Sequence, residues 1–310
     1  MNEFDLIARL TKDLPRHQGV VVGAGDDCAV LDLGLPDRWL LFKTDAVVEG
    51  VHFDQDALPE QIGHKALARC LSDIAAMGGE PSSALVALGL PPTFDPARIE
   101  AVYRGLSALA SRCGVAIVGG ETTTNPDRMF LSVSLVGSVE RTRCVRRTGA
   151  QAGDALFVTG TLGGSLRGRH LCFEPRLTEA RWLTEHFAVH AMIDLSDGLA
   201  GDLRHLLDAS QVGAELLASA IPISRAARLG ARAGPAAKPA LAAALTDGED
   251  FELLFSVASR DAVPLLDAWK ARFPDLPLAC VGKVIAERQL RVRDRSGVRP
   301  LDAHGYVHFA

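Results

Sequence analysis

The chain has 310 residues, 48% of them hydrophobic, and a net charge of −5 with acids and bases mixed along its length. That length exceeds most single cores and predicts two domains of roughly 150 residues each. The apolar content excludes a disordered chain, and the mildly acidic balance argues against non-specific nucleic-acid binding, which needs a basic surface. Six widely spaced cysteines with no C-x-x-C suggest neither a zinc site nor a disulfide framework, and reduced thiols in a cytoplasmic protein are expected. The opening MNEFDLIARL carries acids and no long apolar run, so no signal peptide is expected. No stretch of about 20 apolar residues predicts a membrane span.

Residues 3–10 predict a short helix with Phe4, Leu6, Ile7 and Leu10 on one side. Val20–Val22 and Ala29–Leu31 predict strands around a Gly/Asp turn, and Trp39–Lys43 a strand running into Thr44-Asp45. From Pro59 to Met77 the apolar residues Ile62, Ala66, Leu67, Cys70, Leu71 and Ile74 follow helical spacing, with Gly78-Gly79 and Pro81 as the stop. Asp95-Pro96 is a cap followed by a first-turn proline, and the helix it opens ends at Gly114. Val115–Val118 predicts a short buried strand, and Phe130–Val139 a strand in which Leu131, Val133 and Leu135 alternate with Ser132 and Ser134. The Arg- and Gly-rich stretch 140–154 lacks periodicity and marks a boundary between domains at 1–140 and 150–310. Beyond it, Ala155–Thr159 predicts a strand followed by GTLGGS and a helix. Another strand ends at Asp194, residues 199–207 are helical, and 251–257 and 278–284 are strands. The alternation makes both halves α/β or α+β.

Acids gather in short clusters at Asp26-Asp27, Thr44-Asp45, Ser72-Asp73, Gly119-Gly120-Glu121, Asp194-Leu195-Ser196-Asp197-Gly198 and Gly248-Glu249-Asp250. The expectation is that they sit at strand ends and turns, apart from Asp73 within a helix. Each cluster alone is compatible with a turn or a helix cap. Together they are what magnesium needs, because that ion takes hard oxygen ligands and is usually held by one or two carboxylates plus phosphate oxygens. The usual phosphate motifs are missing: there is no G-x-x-x-x-G-K-[ST], no complete G-x-G-x-x-G and no D-F-G. Gly160–Ser165 could cradle a phosphate through backbone N–H groups or be a plain connecting loop. Cys28, beside acids that raise a thiol pKa, is expected to be a buried thiol and no nucleophile.

Eight segments in order carry a resemblance: GAGDDCAV (its core at 24–30), KTDAVVEGVHF (43–53), HKALARCLSDIAAMGGEP (64–81), VGGETT (118–123), VTGTLGGS (158–165), IDLSDGL (193–199), DGEDFELLF (247–255) and GYVHF (305–309). Together they resemble the thiamine-monophosphate kinase family, within the superfamily of aminoimidazole ribonucleotide synthetase. VVEGVHF and GYVHF point to the thiamine branch. The resemblance implies a two-domain α/β fold whose N-terminal domains pair their sheets in a homodimer. It implies ATP-dependent phosphorylation of thiamine monophosphate with several Mg2+ ions. Asp27, Thr44, Asp45, Asp73, Glu121, Asp194 and Asp197 match magnesium-binding positions. Gly120, Glu121, Arg147 and Ser196 match positions toward ATP, and His52, Glu249 and Tyr306 match positions near the thiamine substrate. No residue matches a general base, and an acceptor that is already an ionised phosphate needs none. The resemblance leaves open another ATP-dependent activity of the superfamily, or a nucleotide-binding regulator without turnover. The chain departs from the family pattern at Lys43, where a small hydroxyl residue is usual, and at Glu121 and Val307, where Asp is usual. A strand residue alternates in direction, so Lys43 could point toward the acids, replacing one magnesium ion, or outward to solvent.

Overall fold

The computed structural model describes residues 3–15 and 17–307, leaving out the side chain of Phe4, so that residue and the His308 and Phe309 of the closing motif lie outside the description. The chain divides into two compact units. The N-terminal unit comprises Gly19–Cys144 and Gly168–Arg181, and the C-terminal unit Val145–Arg167 and Trp182–Ala310 together with Met1–Gln18. The first helix, α1 (Glu3–Thr11), falls in the second group.

In the N-terminal unit the chain runs through β1 (Val20–Val22), β2 (Ala29–Leu31), β3 (Arg38–Val48), α2 (Pro59–Ala76), β4 (Glu80–Leu90), α3 (Pro96–Cys113), β5 (Ala116–Thr124) and β6 (Phe130–Glu140). The strands form one sheet in the order β1-β2-β3-β6-β4-β5, in which only the β4–β5 pair is parallel. Along β6 every second residue from Leu131 is buried, as the Leu/Val–Ser alternation requires when one face of a sheet is covered. The cover is α2, which packs on β3 and β6, with α3 packed on α2. Asp95 caps α3 by accepting from the Ala97 N–H at 2.9 Å, Pro96 takes the first turn, and Gly114 ends the helix at φ 69°, a left-handed value that glycine adopts without a steric penalty. The two helices touch backbone to backbone. A Cβ on Gly63 would lie 1.8 Å from the Val102 carbonyl oxygen, and one on Gly105 would lie 1.8 Å from that of Glu60.

Three expectations change here. Thr44-Asp45 is mid-strand, because β3 continues to Val48 against β6. The stretch after Pro81 is a full strand, β4, with the proline near its first residue, where a missing donor is tolerated. The segment expected as a short buried strand is the longer β5, which takes in Gly119-Gly120-Glu121 and is exposed along most of its length because it is the sheet edge.

The C-terminal unit contains β7 (Ala155–Thr159), α4 (Leu177–His186, whose first five residues fall in the N-terminal unit), β8 (Val189–Asp194), α5 (Leu199–Ser210), β9 (Gly213–Leu217), α6 (Arg225–Gly230), α7 (Ala240–Thr246), β10 (Leu253–Val257), α8 (Ala262–Arg272), β11 (Leu278–Ile285), β12 (Leu290–Asp294) and β13 (Gly297–Pro300). Its sheet runs β13-β12-β9-β11-β7-β10-β8. Strands β7 and β10 lie inside it and are buried along their whole length, which is why their sequences are apolar runs without alternation. Leu156, Val158 and Leu254 join one cluster with Leu199, Leu203 and Leu206 of α5 and Ala244 of α7. Phe157 and Phe255, on the alternate positions, stack with centroids 5.6 Å apart. The helix expected directly after GTLGGS is replaced by two short 3-10 turns at 165–167 and 169–171. Gly163, Gly164 and Gly168 have φ of 82°, 72° and 125°, values an α-helix does not contain. The fold is therefore the two-sheet mixed α/β architecture that the resemblance implied. No helix of the described residues is long and apolar enough to cross a membrane.

Candidate functional site

In the N-terminal unit the period of β3 sends Lys43 and Asp45 to the helix-covered side and Thr44 to the other. Arg69 and Asp73, four apart on α2, lie on one helix face. The four meet. Lys43 Nζ stands 2.8 Å from Asp73 Oδ1 and 3.7 Å from Asp45 Oδ2, and an Arg69 guanidinium nitrogen is 3.6 Å from Asp45 Oδ1. Burial works against the charge on Asp45, but the Lys43 and Arg69 charges hold its carboxyl below the usual range. For Lys43 burial disfavours the ammonium, and Asp73 and Asp45 more than restore it, so its pKa is raised well above the ordinary lysine value. Asp27 is also buried, and it offers an oxygen within 4.8 Å of one from Asp73. Beside it Cys28 is buried, and burial together with the Asp73 charge pushes its thiol pKa up, as a non-nucleophilic thiol requires.

The other expected residues of this unit stand apart from that cluster. Thr44 exchanges contacts with the Ser132 and Ser134 hydroxyls at 3.4 and 3.2 Å on the uncovered face. Gly120 and Glu121 lie on β5, three strand spacings from β3, roughly 14 Å. Gly120 has a packing reason to be glycine, since a Cβ there would fall 1.8 Å from the Val86 carbonyl oxygen. Glu121 is exposed and accepts from the Thr122 N–H. His52 follows β3 in a tight turn. Its Nδ1 accepts the Val48 N–H at 3.1 Å, which puts the neutral ring's proton on Nε2, and its carbonyl accepts from the buried Lys65 at 2.6 Å.

In the C-terminal unit the expected residues converge. Asp194 ends β8 opposite Leu253 of β10, and the turn 195–198 leads into α5. Two other segments lie on that turn: the Glu249 N–H donates to the Ser196 carbonyl at 2.6 Å and the Tyr306 N–H to the Asp197 carbonyl at 2.9 Å. Glu249 and Phe251 take φ of 62° and 50°, left-handed values rare for non-glycine residues, and the Phe251 N–H donates to the Leu195 carbonyl at 2.8 Å. A cavity of about 360 Å³ opens beside the turn, lined in part by Asp197, Arg204, His205, His304 and Tyr306.

Asp202, one turn into α5, was not among the expected residues. Its carboxyl group accepts the N–H groups of Asp197 and Gly198, both at 3.0 Å, and so fixes the turn that follows Asp194 and carries Asp197. Burial, then the charges of Asp197 and Asp194, push its pKa well above the ordinary value, while Arg147 pulls it down only weakly. An acid four residues after the N-cap Gly198 is the available signal for it, one residue beyond the spacing of a capping box. Arg69 was missed too, although its place four residues before Asp73 marks it. GTLGGS gives no phosphate cradle, because its amides are engaged: Gly163 N–H donates to Asp250 at 2.7 Å and Gly164 N–H to Asp247 at 2.9 Å.

Known proteins resemble the chain across nearly its whole length. The family model described as AIR synthase related protein, N-terminal domain, matches residues 25–139, and the corresponding C-terminal domain model matches 171–295. The thiamine-monophosphate kinase of Rhodopirellula baltica is 41% identical over 96% of this chain and 93% of its own length. The chain belongs to the thiamine-monophosphate kinase family. It is by that membership an enzyme, a phosphotransferase. The family member of Escherichia coli K12 is 36% identical over 99% of this chain and 98% of its own. A solved family structure described as "AaThiL complexed with AMPPCP and TMP" gives a TM-score of 0.82 at 30% identity, covering 99% of this chain and 97% of that one. The thiamine-monophosphate kinase of Stenotrophomonas maltophilia K279a gives 0.74 at 34% identity, over 94% and 96%. Hydrogenase maturation protein HypE of E. coli, at 22% identity and a TM-score of 0.71 over 85% of each chain, shares the fold.

Proposed function

We propose that this enzyme transfers the γ-phosphoryl group of ATP directly to the phosphate of thiamine monophosphate, giving ADP and thiamine diphosphate, with several magnesium ions. The observation that carries the reading is the 41% identity to a thiamine-monophosphate kinase over 96% of the chain. The relative described with AMPPCP and TMP supports both substrates, AMPPCP being an ATP analogue. The donor set fits magnesium: Asp27 and Asp73 present hard oxygens within 4.8 Å of each other. Asp45, Asp194 and Asp197 would supply further carboxylates, with Thr44 and Glu121 as the remaining oxygen donors. When bound, magnesium supplies screening of phosphate charge and alignment of the reacting oxygens.

The chain's own residues do the rest by position. Asp202 holds the 197–198 amides and so sets where Asp197 stands. Ser196 and Arg147, with Gly120 and Glu121, serve the nucleotide. His52, Glu249 and Tyr306 serve the thiamine phosphate. The acceptor phosphate is ionised at neutral pH, so attack needs no proton removal and no general base. We further infer a cytoplasmic homodimer through the N-terminal sheet. The support is the uncovered face of that sheet, which leaves Phe42 and Leu85 half exposed.

Purified enzyme should release ADP with thiamine monophosphate and not with free thiamine, whose alcohol would need a base. Thiamine diphosphate should appear by mass spectrometry. Equal turnover of thiamine would refute the acceptor assignment, and no turnover of either would favour a regulator. Light scattering showing a single-chain mass at micromolar concentration would refute the dimer.

A further inference from the structure

We propose that Lys43 is a built-in cation that fills one divalent-cation position between Asp45 and Asp73, so that the acids of the N-terminal sheet take up one metal ion fewer than their number allows. This rests on the kinase reading only for the metal it invokes. The geometry is that of a bridging ion. One ammonium lies 2.8 Å from an oxygen of Asp73 and 3.7 Å from an oxygen of Asp45, while Arg69 stands by the other oxygen of Asp45. Strand alternation and the four-residue spacing on α2 put all four side chains in the layer between sheet and helix, so the arrangement follows from the fold.

A lysine ammonium is a compact, strongly hydrated point charge on a flexible stem and can stand where a metal ion would. A lysine is ordinarily charged at neutral pH, and here two carboxylates face its ammonium. Ammonium and metal then compete for the same oxygens. Any ion that binds Asp73 through Oδ1 must first displace Nζ, and by linkage its apparent affinity falls by the strength of the Lys43 contact. The benefit is an acidic layer that is neutralised before metal or nucleotide arrives. Asp27 offers an oxygen within 4.8 Å of one from Asp73.

The test is titration of Mn2+ alone into the full chain, followed by electron paramagnetic resonance of the free ion and by calorimetry, for wild type, Lys43→Ser and Lys43→Arg. Lys43→Ser should bind one more Mn2+ per chain, or bind the same number at least tenfold more tightly, and Lys43→Arg should match wild type. Equal stoichiometry and affinity in all three overturns the proposal. In EDTA Lys43→Ser should melt lower than wild type, because Asp45 and Asp73 both lose the Lys43 charge, and millimolar Mg2+ should restore it. A loss that Mg2+ does not restore would make Lys43 a packing residue and also overturns the proposal. None of these readouts needs turnover. A metal gain in Lys43→Ser alongside inactive wild type would sink the kinase reading alone, and active wild type without the gain would sink this one alone.

Discussion

In the N-terminal unit Asp45 and Asp73 face Lys43 and Arg69, whereas in the C-terminal unit Asp194, Asp197 and Asp202 crowd together with two backbone amides as the main support of Asp202. Full positive charges keep the Asp45 carboxyl ionised below its usual range. Amides and the weaker pull of Arg147 do not, and Asp202 holds its proton well above its usual range. Similar densities of acid thus give opposite dependence on pH. Asp45 contributes stability that is present above the unfolded-state pKa and is lost as pH falls through its lowered folded value. Asp202 works the other way: its contribution is full below the unfolded-state pKa and declines as pH rises toward its raised folded value. The lesson is that the first cluster carries its own counter-ions, while in the second burial and neighbouring acids keep a proton on Asp202.

The strongest way to break this comparison is to remove the acids. Asp45→Asn and Asp73→Asn should each cut turnover by orders of magnitude while circular dichroism shows the fold intact, since each removes a charge from the proposed magnesium site. Near-normal activity at low millimolar Mg2+ would end the metal assignment of the N-terminal cluster. Asp202→Asn should have an intermediate effect, because its oxygen can still accept the two amides. In EDTA the stability of wild type should decline as pH rises above the unfolded Asp value of about 4, because the folded Asp202 holds its proton longer, and the variant should decline less. Parallel pH profiles by thermal melting would show that Asp202 does not carry the proton. Glu121→Asp should change activity least, a few-fold in kcat/KM, since both side chains are exposed hard oxygen donors on the edge strand. A loss comparable to that of Asp73→Asn would place Glu121 at the centre of the site.

Much of this was legible in residue order, for physical reasons. The alternation in β6 and the Asp95-Pro96 to Gly114 frame of α3 each point to one structure only. Strand β4 was hidden because Pro81 signals a helix stop and a strand start equally well. The exposure of β5 was hidden because Val-Ile-rich segments occupy sheet edges as well as centres, and only strand order tells which. Thr44 and Asp45 are adjacent in sequence and so look like one group, yet the period of two sends them to opposite faces. Whether Lys43 pointed at acids or at solvent could not be read until α2 was known to cover its side of the sheet. Asp202 was one acid among many, and its importance comes from two N–H groups that only the folded turn brings to it.

The backbone at Glu249 carries a consequence for evolution at this site. A non-glycine residue at φ 62° costs about 1–2 kcal/mol against an ordinary conformation, and it is kept there by the donation of its N–H to Ser196. Glycine would sit at 249 without that cost, so Glu249→Gly should raise the melting temperature by a few degrees, on the order of what 1 kcal/mol does in a chain of this size. A laboratory screen for heat resistance would therefore select this change readily. If the carboxylate serves the thiamine phosphate, the survivors of such a screen would be sturdier proteins with a weakened hold on their acceptor, and a rise in KM would accompany the gain in melting temperature.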